Sequence, residues 1–187
     1  AIVHLPVQSG SDKILKLMNR KHSIKDYLNI FEKLKKINSN IEFSSDFIIG
    51  YPGEEKDDFV ATFELIKNIK FINSFSFIFS PRPGTVAANL PQIDKEISKY
   101  RLKKIQDLLF ENQLRINNSY EGKVVNVLVE NLTDDKNFAF GRSEYMTSVI
   151  FDGNKTDIGK ILPVKITNSN RSSLFGSKNN NFSQKVA

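Results

Sequence analysis

Apolar and polar positions follow two different periods along this chain. Up to about residue 117, short apolar runs alternate with stretches of helical period, and beyond it only short apolar runs recur. The first run, Ile2 to Val7, leads through Gln8-Ser9-Gly10-Ser11 into a helical stretch carrying Ile14, Leu15 and Met18. Ser23 and Asp26 then form a capping-box signature. Behind it Ile24, Tyr27, Leu28, Phe31 and Leu34 recur on one helical face. A second strand is expected over Ile41 to Ile49, a turn over Gly50 to Glu54, and a helix bearing Phe59, Phe63 and Ile66. Acidic residues crowd the start of that helix, where they suit its dipole. The third strand, Phe71 to Phe79, ends in Ser80-Pro81-Arg82-Pro83-Gly84-Thr85. Strands alternating with amphipathic helices predict an α/β fold with a parallel sheet. In such sheets, function gathers on the loops at the carboxyl ends of strands.

A long polar helix is predicted from about Ile93 to Asn117, with Ile97, Tyr100, Ile105, Leu108 and Leu109 on its buried side. After Asn117-Asn118-Ser119-Tyr120-Glu121-Gly122 the pattern becomes β-rich: Lys123 to Glu130, Phe138 to Arg142, Thr147 to Phe151 and Ile161 to Thr167. Turn-rich breaks between these runs predict a small β-barrel. The expected organisation is therefore 1–117, 118–177 and a disordered tail over 178–187.

Composition narrows the classes. At 187 residues, 40% hydrophobic and 26% charged, the chain is globular rather than disordered. No apolar run approaches the roughly 18 residues of a membrane-spanning helix. With no cysteine, the chain by itself makes no disulfide and ligates no iron–sulfur cluster. It opens on Ala1 directly into a strand-like run, without a charged leader, and is read as a piece of a longer protein. A net charge of +6 and a pI near 9.4 permit a nucleic-acid partner without identifying one.

Few residues offer chemistry. Asp46 is a carboxylate in an otherwise apolar strand, which is costly unless it is paired or faces a site. It reads as an acceptor for a ligand hydroxyl or as the partner of a neighbouring barrel side chain. Arg20 reads as a bidentate grip on a carboxylate or as an ordinary cation at a helix end. Gln8, just past the first strand, both donates and accepts. Arg82 sits on a stiff Pro-Arg-Pro-Gly loop that either faces a substrate phosphate or holds the exit from the sheet. Neither His4 nor His22 belongs to a cluster with metal-ligand spacing. On the barrel, Lys123, Arg142, Tyr145, Lys165 and Arg171 are candidates for RNA contact. Phe138 and Phe140 are assigned to the core.

Three segments, His4-Leu5-Pro6-Val7-Gln8-Ser9-Gly10-Ser11, Ser44 to Glu54 and Ser80 to Thr85, together resemble the MiaB-type tRNA methylthiotransferases of the radical S-adenosylmethionine (SAM) class. The resemblance continues through the β-rich end, which is similar to a TRAM domain. It implies the C-terminal part of a radical SAM partial (β/α) barrel, followed by a small all-β, OB-like TRAM barrel. It further implies SAM and two [4Fe–4S] clusters as cofactors, the cluster cysteines lying upstream of Ala1. The partners implied are tRNA and an electron donor, in the cytoplasm, with neither membrane nor DNA. The reaction implied is methylthiolation at C2 of N6-isopentenyladenosine beside the anticodon, this chain alone being inactive. By the same resemblance Gln8, Arg20, Asp46 and Ile48 would contact SAM, with Asp46 on the ribose and Ile48 against the adenine, and Arg82 would lie near the substrate. Two alternatives stand beside it. One is a methylthiotransferase for another target, threonylcarbamoyl-adenosine tRNA or a ribosomal protein. The other is a non-catalytic RNA-binding protein.

Overall fold

The computed structural model describes residues 2–134 and 136–179. Val3–Phe110 form one compact unit, and the described residues from Glu111 onward, with Ile2, form another. The boundary falls inside a long helix, ahead of the 117/118 border expected from composition. The 178–187 tail falls outside the described residues from 180 onward, and Lys178 itself ends a strand.

In the first unit, β1 (Ile2–His4) pairs with β2 (Glu42–Ser44), and β3 (Asp46–Ile49) pairs in parallel with β4 (Phe75–Ile78). Only Ser45 separates β2 from β3, so the expected 41–49 strand is one course with a break. Along it, Ser44 and Asp46 accept N–H bonds from Leu5 and Gln8, and Ile48 donates to Gln8. Ser45 and Ile49 accept from Phe75 and Phe79. Successive residues of a strand bond to opposite edges, so the β2–β3 course lies between the β1 segment and β4. The outer strands are shorter than their apolar runs. Residues 5–8 continue beside β3 by single bonds, and residues 71–74 reach β4 through a turn.

Four helices follow their sequence signals. α1 (Asp12–Leu17) is capped by Ser11, and α2 (Ile24–Ile37) opens with the Ser23/Asp26 capping box. α3 (Lys56–Ile69) ends at Lys70 in the left-handed region, and α4 runs Lys95–Asn118. Their apolar faces meet the sheet around Val7, Tyr27, Phe43, Phe47, Ile49, Ile66, Phe71 and Ile105. In α4 the stripe differs from expectation. Ile105 and Leu109 are buried, but Ile97 and Tyr100 are exposed. Ser98 takes the inward position of the first turns, because a Cβ built on Gly50 would lie 2.5 Å from its Oγ. No large apolar side chain fits there.

The loop after the β1 segment is fastened to α3 by polar contacts. Asp58 accepts from Ser11 Oγ at 2.6 Å, from the Glu55 N–H at 2.9 Å and from Lys13 Nζ at 3.0 Å. Burial raises the Asp58 carboxyl, but those three donors outweigh it and hold it below its ordinary value. A carboxyl depressed in the fold contributes stability above its unfolded value, and that contribution is lost as pH falls through the folded one. Asp58→Ala is thus expected to cost about 2 kcal/mol at neutral pH. In urea unfolding the gap between variant and parent should narrow on acidification. A gap independent of pH would exclude the carboxylate as its source.

The second unit is a closed barrel, β5-β6-β7-β9-β8. Its strands are β5 (Val124–Leu132), β6 (Ala139–Ser143), β7 (Ser148–Phe151), β8 (Ile161–Ser169) and β9 (Ser173–Lys178). Val125, Val127, Val129, Val149, Phe151, Val164, Ile166 and Leu174 fill the interior. On β6 the alternation buries Ala139, Gly141 and Ser143. Phe140 therefore points outward, and Phe138 is 46% exposed. Neither is the core residue the sequence suggested.

Candidate functional site

The three loops named by the sequence lie at the carboxyl ends of neighbouring strands. Gln8 follows the β1 segment, Gly50 follows β3 and Phe79 follows β4. Gln8 is buried and adopts φ of +73°, a strained conformation for a non-glycine residue. Two backbone bonds hold it there: its N–H donates to Asp46 O at 3.0 Å, and its carbonyl accepts from Ile48 N at 2.9 Å.

Above the strand ends lies an open cavity of about 440 Å³, lined by Arg20, Ile48, Tyr51, Phe79, Arg82 and Val86 among others. It brings together three of the residues the sequence singled out, from three separate segments. Arg20 is not the last residue of a helix, since α1 ends at Leu17 and the chain reaches Arg20 through Asn19 at φ +57°. Among the described residues neither arginine side chain has an ion pair or hydrogen bond, and both are exposed, so both guanidiniums are open to a ligand. Tyr51 donates to Leu17 O at 3.0 Å and stacks edge-on against Phe79, their centroids 4.8 Å apart. The chemistry of this cavity is two cations over an aromatic and aliphatic wall, which suits an anionic group attached to a flat apolar body.

Gln8 and Asp46 are not among the cavity lining. Asp46 lies two residues before Ile48, and its Oδ2 is 3.4 Å from His4 Nε2. The neighbouring-side-chain partner considered for it in the sequence is therefore present. His4 itself was missed as a site residue, because its place beside Asp46 depends on the pairing of β1 with β2. Phe75 and Phe77 stand opposite Asp46 and Ile48 in register, and both are largely exposed.

On the barrel, Lys123 Nζ lies 5.8 Å over the Tyr120 ring, which packs 5.7 Å from the Tyr145 ring. Lys165 stands opposite Val124 in the β5–β8 ladder, on the face Val124 shares. Arg142 is engaged elsewhere: its guanidinium lies 5.9 Å over Phe140 and 3.4 Å from Glu130. Arg171 sits in the β8–β9 turn, where its carbonyl accepts from Asn117 Nδ2. Of the five candidates, Lys123 and Tyr145 thus meet through Tyr120, and Arg142, Lys165 and Arg171 hold separate positions. Tyr120, in the segment leading to β5, is the member sequence reasoning missed.

The residues present fit some implied groups and not others. Two open arginines, an apolar wall and a strand carboxylate suit a zwitterionic nucleoside such as SAM. Cluster ligation requires cysteine thiolates, and a chain without cysteine does not fit a [4Fe–4S] cluster.

Residues 1–66 match the Radical SAM superfamily model, and residues 118–178 match the TRAM domain model. Over 186 residues the chain is 62% identical to a tRNA-2-methylthio-N(6)-dimethylallyladenosine synthase of Pelagibacter ubique (strain HTCC1062), covering all of this chain and 42% of that protein. A protein of the same name from Ruthia magnifica subsp. Calyptogena magnifica is 47% identical over 93% of this chain and 39% of its own length. One from Bartonella bacilliformis (strain ATCC 35685 / KC583 / Herrer 020/F12,63) is 42% identical over 95% of this chain and 39% of its own length. The chain spans about two fifths of the length of the curated relatives it matches.

Proposed function

We propose that this chain, similar along its whole length to the MiaB-type tRNA methylthiotransferases, supplies the SAM-holding strand ends and the tRNA-binding barrel of such an enzyme. The observation that carries this reading is the cavity in which Arg20, Ile48 and Arg82 meet, with Asp46 two residues before Ile48 on the same strand. The relatives' shared name supports N6-dimethylallyladenosine in tRNA, over a threonylcarbamoyl nucleoside or a ribosomal protein, as the substrate. On this reading residues 1–117 form the C-terminal part of a partial barrel, residues 118–177 form the RNA-binding module, and the protein works where tRNA is, in the cytoplasm.

In the proposed roles, Arg20 grips the methionine carboxylate, Ile48 packs against the adenine, and Asp46 accepts from a ribose hydroxyl. Gln8, locked by its backbone bonds, holds the β1 segment against β3 at the same level. Arg82 offers a cation to the substrate side of the cavity. The Lys123–Tyr120–Tyr145 group gives the barrel a cation beside aromatic faces, the combination that holds unpaired bases. When bound, SAM supplies the means of removing hydrogen from C2 of the base. The clusters that such chemistry requires come from outside these residues, so this chain alone is inactive.

The test uses the full-length protein. Asp46→Asn and Arg20→Met should each weaken SAM binding about tenfold, with tRNA affinity changed less than twofold. Lys123→Ala with Tyr145→Ala should do the reverse, and should lower the salt dependence of tRNA binding. Loss of both affinities together in every variant would sink the assignment.

A further inference from the structure

His4 stands between two side chains of the adjoining strand course. Its Nδ1 lies 2.8 Å from Ser44 Oγ, and its Nε2 lies 3.4 Å from Asp46 Oδ2. Ser44 and Asp46 are two positions apart, so both project from the same face. One arrangement of protons satisfies all three groups. The Ser44 hydroxyl donates to Nδ1, leaving the Nε2–H to face the carboxylate at 3.4 Å, a polar contact longer than a hydrogen bond. Ser44 is buried, whereas the Asp46 side chain is 31% exposed. The structure gives Asp46 Oδ1 no hydrogen bond or ion pair among the described residues. The carboxylate thus has one oxygen against the imidazole and the other open.

We propose that His4 is a positioning residue, which orients the Asp46 carboxylate so that Oδ1 meets a ligand hydroxyl, with Ser44 fixing the imidazole tautomer. The inference rests on the assignment of Asp46 to the nucleoside hydroxyls of SAM. Serine, histidine and aspartate also make hydrolytic triads, but here the serine is the buried member and the carboxylate the open one. That is the reverse of what a nucleophile needs. An unheld Asp46 would sample several rotamers at the strand surface, and the ligand would have to select one. The imidazole removes that cost before binding.

The experiment is a double-mutant cycle in the full-length protein, with S-adenosylhomocysteine as the probe and its affinity as the readout. His4→Phe keeps the bulk but removes the hydrogen bond to Ser44 and the polar contact to Asp46, and should weaken binding about five- to tenfold. His4→Gln, which still donates, should recover most of that loss. In an Asp46→Asn background, His4→Phe should add less than a twofold change, because the carboxylate it orients is gone. Equal losses in both backgrounds would mean that His4 touches the ligand or merely supports the fold, and would overturn the inference. So would an unchanged affinity in His4→Phe. If His4→Phe does not fold, Ser44→Ala enters the same cycle, and absence of coupling to Asp46→Asn overturns the proposal there. Should Asp46→Asn alone leave affinity intact, the site assignment itself fails. If Asp46→Asn weakens binding and His4→Phe does not, only the positioning role fails.

Discussion

Arg101→Met is expected to destabilise the first unit by about 3–5 kcal/mol at neutral pH, the range found when one partner of a buried ion pair is removed. Glu54 has 1% of its side chain exposed and Arg101 13%. Arg101 donates to Glu54 Oε1 at 2.8 Å and to the Glu54 carbonyl at 3.0 Å, while Glu54 Oε2 accepts the Gly50 N–H at 3.1 Å. The guanidinium also lies 5.6 Å over the Phe59 ring. This pair fastens the turn after β3 to α4. Without the arginine, a carboxylate remains in a dry site with a single N–H for company.

Acidity gives that prediction its signature. Burial pushes the Glu54 carboxyl above its ordinary value, with Arg101 and the Gly50 N–H pulling back. The folded state therefore holds this proton more tightly than the unfolded state does. Stability from this group falls as pH rises from the ordinary carboxyl value through the raised one. Removing Arg101 takes away the largest opposing influence and lifts the folded value further. The variant's penalty should then be greatest near pH 7.5 and shrink towards pH 4.5, where a protonated Glu54 is buried at smaller cost. Urea unfolding of parent and variant at both values tests this, and an equal penalty at both would refute it. A Glu54→Gln/Arg101→Met double variant should lose less than Arg101→Met alone at pH 7.5, because no buried charge is left unpaired.

That pair shows what sequence pattern can and cannot deliver. Glu54 was legible only as one of several acids near a helix start, where a dipole explains it. Its partner is 47 residues away on α4, and no local period connects them. The same holds for Ser98, which interrupts the apolar stripe of α4 because Gly50 lies against it. Elements with their own local signals came through: the α2 capping box, the apolar face of α3 and the alternation of β5. β9 did not register as a strand by period, because Ser173-Leu174-Phe175-Gly176-Ser177-Lys178 has too few apolar residues to show one. Gly176 is there for a tertiary reason, as a Cβ built on it would lie 2.4 Å from Lys165 O across the ladder. At the site, motif resemblance supplied Gln8, Arg20, Asp46, Ile48 and Arg82 as names. Register and loop geometry decide that Arg20, Ile48 and Arg82 share a cavity while Asp46 faces His4.

Gly10→Ala is the other substitution expected to have a large effect, about 3 kcal/mol, the upper end for overpacking a closed interface. A Cβ there would lie 2.5 Å from Thr62 Cα and 2.6 Å from Ala61 O. Both are helix backbone, so no side chain can swing aside, and the loop must lift from α3. Lifting it strains the Gly10 N–H bond to Thr62 Oγ1 at 2.8 Å and the neighbouring Ser11–Asp58 contact at 2.6 Å. Gly84→Ala is the matched control. Gly84 has φ of +82° and nothing within 4 Å of a built Cβ, so only backbone strain of about 1–2 kcal/mol is expected. The two glycines also differ in reach. Gly10 joins Gln8 to α1, and α1 leads to Arg20, so a displaced loop shifts the proposed carboxylate grip together with the residue that holds the β1 segment in place. Gly10→Ala should therefore weaken S-adenosylhomocysteine binding even at temperatures where the variant remains folded. Comparable losses of stability in the two variants would show that the loop can yield against α3, and that close packing at Gly10 does not fix the strand-end geometry.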